Sequence, residues 1–349
     1  MNDVLAILAE ARKQNASDIH LIAGEPVSYR VSRRTQHNGV RAGDKMLESF
    51  LDQLLETPDM GKLRKMGAVD KATFIPEVGA IRVHTQRKNG KLAVSVRLLQ
   101  KDIPTFQTLG LPDVFETFVQ RTGGLVLIVG PMGSGKSSSL AATIHAINDK
   151  CEKHIYIVED TIEYVHPWLN STISQVLIGP GKDFATYEAA ITASRRDDAD
   201  VLVVGEARDA QSFAAILNAS NNGNFVMATM HTDQTTTALD RIIYEMPPEV
   251  QERVRVDLAV QLVAIVGQRL VPRKGKAGGV VLATEVLIVT DQVREALLKN
   301  DIRRVRELMT SDPRMHTLEA DLTRLLHEGQ IYPEDAKAVA RYPDEVKLA

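Results

Sequence analysis

The chain has 349 residues and a net charge of −3, from 42 lysines and arginines against 45 aspartates and glutamates. So balanced a charge gives no bulk attraction to nucleic acid or to an anionic membrane, while 44% hydrophobic residues can bury sizeable cores in two domains. The lone Cys151 excludes an intramolecular disulfide framework and a four-cysteine zinc site, and reads as a small half-buried apolar residue.

The opening residues, Met1 to Arg12, carry an acid early and lack a basic n-region and a cleavage site, so no signal peptide is expected. The longest apolar runs fall far short of the roughly 20 residues that span a bilayer, so a cytoplasmic chain is expected, held at a membrane only through a partner. Residues 1–100 read as a small α/β domain. Val4, Ile7, Leu8 and Ala11 have helical spacing over 2–14, with Asn2 or Asp3 as cap. Strand-like runs follow at 17–23 and 27–31. Asp44 then caps a helix to Glu56 with an apolar face of Met46, Leu47, Phe50, Leu51, Leu54 and Leu55. Strands at 80–86 and 91–99 flank Asn89-Gly90, a strong hairpin signal.

Residues 101–111, with Pro104 and Gly110, form the expected linker. Residues 112–349 form the second domain, in which apolar runs at 125–129, 154–158, 201–204, 225–230 and 280–289 alternate with helical segments. That pattern predicts a mostly parallel sheet covered by helices, and an amphipathic helical tail from about 290.

The first apolar run of this domain leads into Gly130-Pro131-Met132-Gly133-Ser134-Gly135-Lys136-Ser137, followed by Ser138 and a helical stretch. Strand, glycine-rich turn and helix in that order are the context of a phosphate-binding P-loop. Its backbone N–H groups and the helix N-terminus favour a polyphosphate, Lys136 suits the β- and γ-phosphates, and the Ser137 hydroxyl suits Mg²⁺. The nucleotide-binding set is therefore 130–138, and ATP with Mg²⁺ is the expected pair.

Three further apolar runs end in chemistry-bearing residues. Val201–Val204 leads through Gly205 to Glu206, placed to hold Mg²⁺ directly or through water. Ile155–Val158 leads to Glu159, placed to polarise an attacking water, with Glu163 as an alternative metal-side carboxylate. Phe225–Met230 leads to His231, which suits sensing of a γ-phosphate. His37, His84, His145 and His316 show no metal-ligand spacing.

With four strand ends of this kind, the chain resembles the secretion ATPase superfamily of type IV pilus and type II/IV secretion motors. Gly130–Ser137 looks like its Walker A, Val158–Tyr164 like its Asp box, Val201–Asp209 like its Walker B and Gly223–Arg241 like its His box. Ala16-Ser17-Asp18-Ile19-His20-Leu21 is similar to the opening signature of its N-terminal domain. Length and the single cysteine look most like the PilT-type pilus retraction ATPases, because the assembly and type II secretion ATPases usually carry a tetracysteine insert. The sequence departs from the pattern at Thr161 and Ala199, usually prolines, and in Gln292–Leu297, which keeps only part of the retraction hallmark.

The resemblance implies a PAS-like N-terminal α/β domain followed by a RecA-like P-loop ATPase domain with C-terminal helices. It implies a homo-hexamer with nucleotide between the two domains, and an inner-membrane pilus platform protein as partner, with a second pilus ATPase as a further candidate. Arg82 and Arg97 stand where N-terminal-domain arginines of the family reach the phosphates, a role that suits guanidinium groups. The expected activity is Mg²⁺-dependent ATP hydrolysis driving pilus disassembly and retraction. Two alternatives stay open: a type IV secretion or conjugation ATPase, and a nucleotide-binding accessory subunit with little turnover. No nucleic-acid partner is expected, since no basic stripe tracks phosphates.

Overall fold

The computed structural model describes residues 2–31, 34–55, 57–99, 102–179, 181–275 and 279–347. The chain divides into two compact units, one of residues 1–102 with 162–165, the other of 103–161 with 166–349. The start of the expected linker, Lys101, and the expected helix end, Glu56, lie outside the described residues, as do the side chains of the expected caps Asn2 and Asp3.

The first unit is one antiparallel sheet backed by helices α1 (Asn2–Lys13), α2 (Asp44–Leu54) and α3 (Thr57–Met66). Its strands are β1 (Ala16–Ile22), β2 (Pro26–Val31), β3 (Arg34–Arg41), β4 (Ala68–Ile75), β5 (Gly79–Lys88) and β6 (Lys91–Leu98), in the order β3-β2-β1-β6-β5-β4. Alternation sets the faces: Ile19 and Leu21 are buried with Val4, Leu8, Leu47 and Phe50 of the helices, while Asp18 and His20 point the other way. The β5–β6 hairpin turns at Asn89 and Gly90, whose φ angles of 50° and 79° are those of the expected Asn-Gly turn. Gly43, not Asp44, is the N-cap of α2, and no side chain caps it; Asp44 stands in the first turn. Strands β3 and β4 and helix α3 were not expected from the sequence.

The second unit opens with the short helix α4 (Phe106–Leu109) and a 3₁₀ turn at Asp113–Phe118. Its strands are β7 (Gly124–Val129), β8 (His154–Glu159), β9 (Thr172–Leu177), β10 (Val201–Val204), β11 (Phe225–Met230), β12 (Leu262–Pro272) and β13 (Val280–Ile288), in the order β13-β12-β7-β11-β10-β8-β9. Among the described residues of this sheet, β12 and β13 pair antiparallel and the other neighbouring strands pair parallel. The intervening helices are α5 (Lys136–Lys150), α6 (Tyr187–Ser194), α7 (Ala210–Asn221), α8 (Thr235–Tyr244) and α9 (Gln251–Gln261). Helices α10 (Asp291–Leu298), α11 (Ile302–Ser311), α12 (Leu318–His327) and α13 (Pro333–Val339) form the expected tail.

The central strands are buried on both faces, which is why they read as unbroken apolar runs. Leu125, Leu127, Leu202 and Val226 pack on one side with α6 to α11; Val126, Ile128, Val203 and Met227 pack on the other with α5. The carboxyl ends of β7, β8, β10 and β11 therefore lie side by side, where open parallel sheets hold their ligands.

Candidate functional site

Residues 130–138 join β7 to α5. Gly130 has φ +153°, and a Cβ there would lie 2.5 Å from the carbonyl oxygen of Gln268 and 2.5 Å from Ser134 Oγ, so no side chain fits. Gly135, at φ +93°, is the N-cap of α5 and admits the left-handed turn that starts the helix. Met132 and Gly133 are exposed and Pro131 half-exposed, while Ser134 is buried and Ser137 and Ser138 are half-buried at the first turn. Lys136 is 7% exposed and donates to the carbonyls of Gly130 (2.8 Å) and Pro131 (2.9 Å), with His231 Nδ1 at 3.3 Å.

An ammonium group only donates, so Nδ1 of His231 accepts and its proton sits on Nε2. That Nε2 lies 3.1 Å from Glu206 Oε1 and donates to it. The other carboxylate oxygen of Glu206 accepts from Arg208 Nη2 at 2.6 Å, and the same Nη2 donates to Asp160 Oδ2 at 2.7 Å. Hydrogen bonding to Glu206, with Asp160 also beside it, pushes Arg208 above its ordinary pKa against the opposing effect of burial. A continuous chain of contacts thus runs Lys136–His231–Glu206–Arg208–Asp160 and joins four strand ends.

The loop after β10 is held from both neighbours. Gly205 N donates to Val158 O of β8 at 2.8 Å, Ala207 N donates to Thr229 O of β11 at 2.8 Å, and the Thr229 hydroxyl donates to Gly205 O. The parallel ladder therefore continues one step past Val204, and Glu206 follows an extra glycine without losing register. A Cβ on Gly205 would lie 3.1 Å from Glu159 Cγ, so this glycine lets the two acidic strand ends pack together. Glu159 is half-buried at the end of β8, and its Oε2 accepts from Gln175 Nε2 of β9 at 3.4 Å. Gln175 in turn accepts from His166 N at 3.0 Å.

The His box is clamped as well. Arg241 on α8 donates to His231 O at 2.8 Å, and Arg269 on β12 reaches Asp233 Oδ1 at 3.0 Å. The buried Glu285 of β13 accepts from Thr235 N, the first N–H of α8, at 2.9 Å.

The structure thus brings together Lys136, His231 and Glu206, and sets Glu159 on the adjacent strand end. Glu163 is exposed on 162–165, which groups with the first unit. Arg82 and Arg97 belong to the first unit, where they face each other across β5–β6. Sequence reasoning missed Arg208, Asp160, Gln175 and Glu285. Arg208 had a usable signal, two residues past the strand-end acid; the others are defined only by cross-strand contact.

Among the described residues no cluster of three histidine, cysteine or acidic side chains could cage a metal. Ser137 and Glu206 carry the hard oxygen donors that suit Mg²⁺, and the two Glu206 oxygens are held by His231 and Arg208.

A buried lysine in a glycine-rich strand-to-helix turn, tied to strand-end acids through a histidine, defines a P-loop nucleoside triphosphatase. A sequence model of the type II/IV secretion system protein family matches residues 1–318. The chain belongs to that family and is an ATPase of it. It is 29% identical over 345 residues to the type IV pilus retractation ATPase PilT of Pseudomonas aeruginosa, covering 98% of this chain and 99% of that one. Among solved structures it is similar to the pilus retraction motor PilT with bound ADP, at a TM-score of 0.89 and 34% identity over 98% of both chains. It shares the fold of the ATPase DotB of Legionella pneumophila, at a TM-score of 0.80 and 24% identity over 95% of this chain and 93% of that one. No helix among the described residues is long and apolar enough to cross a membrane.

Proposed function

We propose that the chain is the Mg²⁺-dependent ATPase of a homo-hexameric motor that drives type IV pilus disassembly and retraction. The observation that supports it most is the unbroken contact chain from Lys136 through His231 and Glu206 to Asp160. On arrival of the triphosphate, Lys136 exchanges its two carbonyl partners and His231 for β- and γ-phosphate oxygens, and His231 is left between Glu206 and the γ-phosphate. Glu159 takes a proton from the attacking water as its oxygen bonds to the γ-phosphorus and the bond to ADP breaks. Ser137 and Glu206 would hold Mg²⁺, which would supply charge neutralisation on the phosphates. Arg82 and Arg97 add positive charge where the transferring phosphoryl spreads its negative charge.

In a ring, binding and release of nucleotide become displacement of a membrane-bound partner, for which an inner-membrane pilus platform protein is the candidate, with a second pilus ATPase alongside. The chain then works at the cytoplasmic side of the inner membrane without inserting into it, and no nucleic acid takes part.

The test is Mg²⁺-dependent phosphate release by wild type and Glu159→Gln, with assembly state followed by light scattering. The amide keeps the shape but cannot take the proton, so ATP binding persists while turnover falls by about 10² or more. Turnover retained by the variant refutes the base, and a wild type that binds ATP without turnover makes the chain an accessory subunit.

A further inference from the structure

Glu159 ends β8 beside the edge strand β9, and the register of that pair decides which side chain can hold it. Gln175 is the partner of Ile157, two residues before Glu159, so Ile157, Glu159 and Gln175 share one face of the sheet. It is the face that α5 covers, for Ile157 is buried with Leu140, Ile144 and Ile147 of that helix. The helix that starts with Lys136 and Ser137 therefore packs on the same side of the sheet as Glu159.

The amide of Gln175 has one orientation. A backbone N–H only donates, so the atom that meets His166 N at 3.0 Å is Oε1, and the amino group is turned to Glu159 Oε2, 3.4 Å away. At that length the second bond adds little to stability, and its weight falls on direction. A carboxylate anchored at one oxygen has a fixed plane, which fixes where its other oxygen points. The support behind Gln175 is rigid. His166 is only 7% exposed, and the residues after it are pinned to the last turn of α5 by the fully buried Asn148. Asn148 Nδ2 donates to Pro167 O at 2.7 Å, and its Oδ1 accepts from Leu169 N at 3.2 Å and Ser171 N at 3.3 Å. Its backbone carbonyl accepts from Asn170 N at 3.0 Å.

We infer that Gln175 is a positioning residue that orients Glu159 for proton abstraction. This rests on the proposed role of Glu159 as base. One helix then serves both halves of the reaction. Its first turn carries the phosphate-binding lysine, and its last turn, through Asn148, His166 and Gln175, steadies the acid that activates water. Phosphate and base are held as one body, the arrangement that alignment of a nucleophile requires.

The experiment is a double-mutant cycle with Glu159→Gln in the full-length protein, reading kcat and KM for ATP, ADP affinity and a thermal melt. Gln175→Met keeps the length of the side chain and loses both bonds. It lowers kcat about three- to tenfold, the weight of one modest hydrogen bond, while KM and ADP affinity stay within about twofold. Gln175→Glu keeps an acceptor for His166 N but turns toward Glu159 an oxygen that cannot donate, and it lowers kcat at least as far with the melt nearly unchanged. In the Glu159→Gln background neither variant adds to the loss. Wild-type kcat in either Gln175 variant, or a loss that persists at full size in the Glu159→Gln background, overturns the inference and leaves the base in place. A KM that rises as much as kcat falls assigns Gln175 to nucleotide binding and overturns it too. Full turnover in Glu159→Gln removes the base, and the inference with it. Should Gln175→Met fold poorly, Gln175→Glu carries the cycle alone.

Discussion

Gly205→Ala isolates the packing of the two acidic strand ends. The substitution strains no backbone in the left-handed region, because Gly205 is not among the glycines of positive φ. What it adds is one methyl group, 3.1 Å from Glu159 Cγ, 3.3 Å from Val158 O and 3.5 Å from Glu159 Cα. Carbon atoms rest at about 3.5 Å or more, so Glu159 Cγ must retreat by about 0.4 Å. The ladder bond from Gly205 N to Val158 O prevents the loop from yielding instead. A 1 Å misplacement costs about 10²-fold in rate, so a shift of about 0.4 Å predicts a roughly five- to tenfold fall in kcat. Overpacking by one methyl predicts about 1 kcal/mol of lost stability. Nucleotide affinity, which depends on 130–138, stays within about twofold. The assay is steady-state phosphate release beside fluorescent-ADP binding and a thermal melt. Turnover within twofold of wild type, with an unchanged melt, would refute the argument that this contact positions Glu159.

Two predictions concern stability. His166 is buried, and desolvation, helped by the nearby His145, lowers its pKa from the ordinary 6.5 to about 4. Above pH 6.5 the group is neutral folded and unfolded, so it contributes no pH dependence; as pH falls from 6.5 toward 4 the unfolded chain gains a proton that the folded chain does not. At about 1.4 kcal/mol per pH unit, wild type loses about 2 kcal/mol more than His166→Leu between pH 6.5 and 5, read by denaturant unfolding of the second unit; parallel profiles would sink the assignment. Glu285 supplies the acceptor for the first N–H of α8, whose N-cap Gln234 offers no side-chain bond. Glu285→Leu therefore costs about 1–3 kcal/mol in a thermal melt while Glu285→Gln costs less, and equal losses would count against the capping role.

How much of the molecule was legible depended on burial. Strands β7, β8, β10 and β11 announce themselves as apolar runs because both faces are covered. Strand β3, Arg-Thr-Gln-His-Asn-Gly-Val-Arg, is an edge strand, almost wholly exposed, and carries no pattern to read. Edge strand β9 mixes serine and glutamine into its run for the same reason. Strand β12 was hidden differently: it follows α9 at Gln261–Leu262 with no glycine or proline to mark the change of period.

The site was legible where chemistry lies along the chain, and lost where it lies across it. Lys136, Glu159, Glu206 and His231 each follow a recognisable run, and the sheet order places the ends of those runs side by side. Gln175 and Glu285 act on residues of other strands or helices, and no spacing encodes such pairings, whereas the pairing of Arg208 with Glu206 spans only two residues. Glu206 shows the two kinds of information meeting. In sequence it stands one glycine beyond the end of its apolar run. In the structure Gly205 is the residue that allows the close approach to Glu159, and the bonds of Gly205 and Ala207 to β8 and β11 carry the sheet's order out to Glu206. The extra residue lengthens the ordered strand end, so that Glu206 reaches His231 on one side and Arg208 on the other.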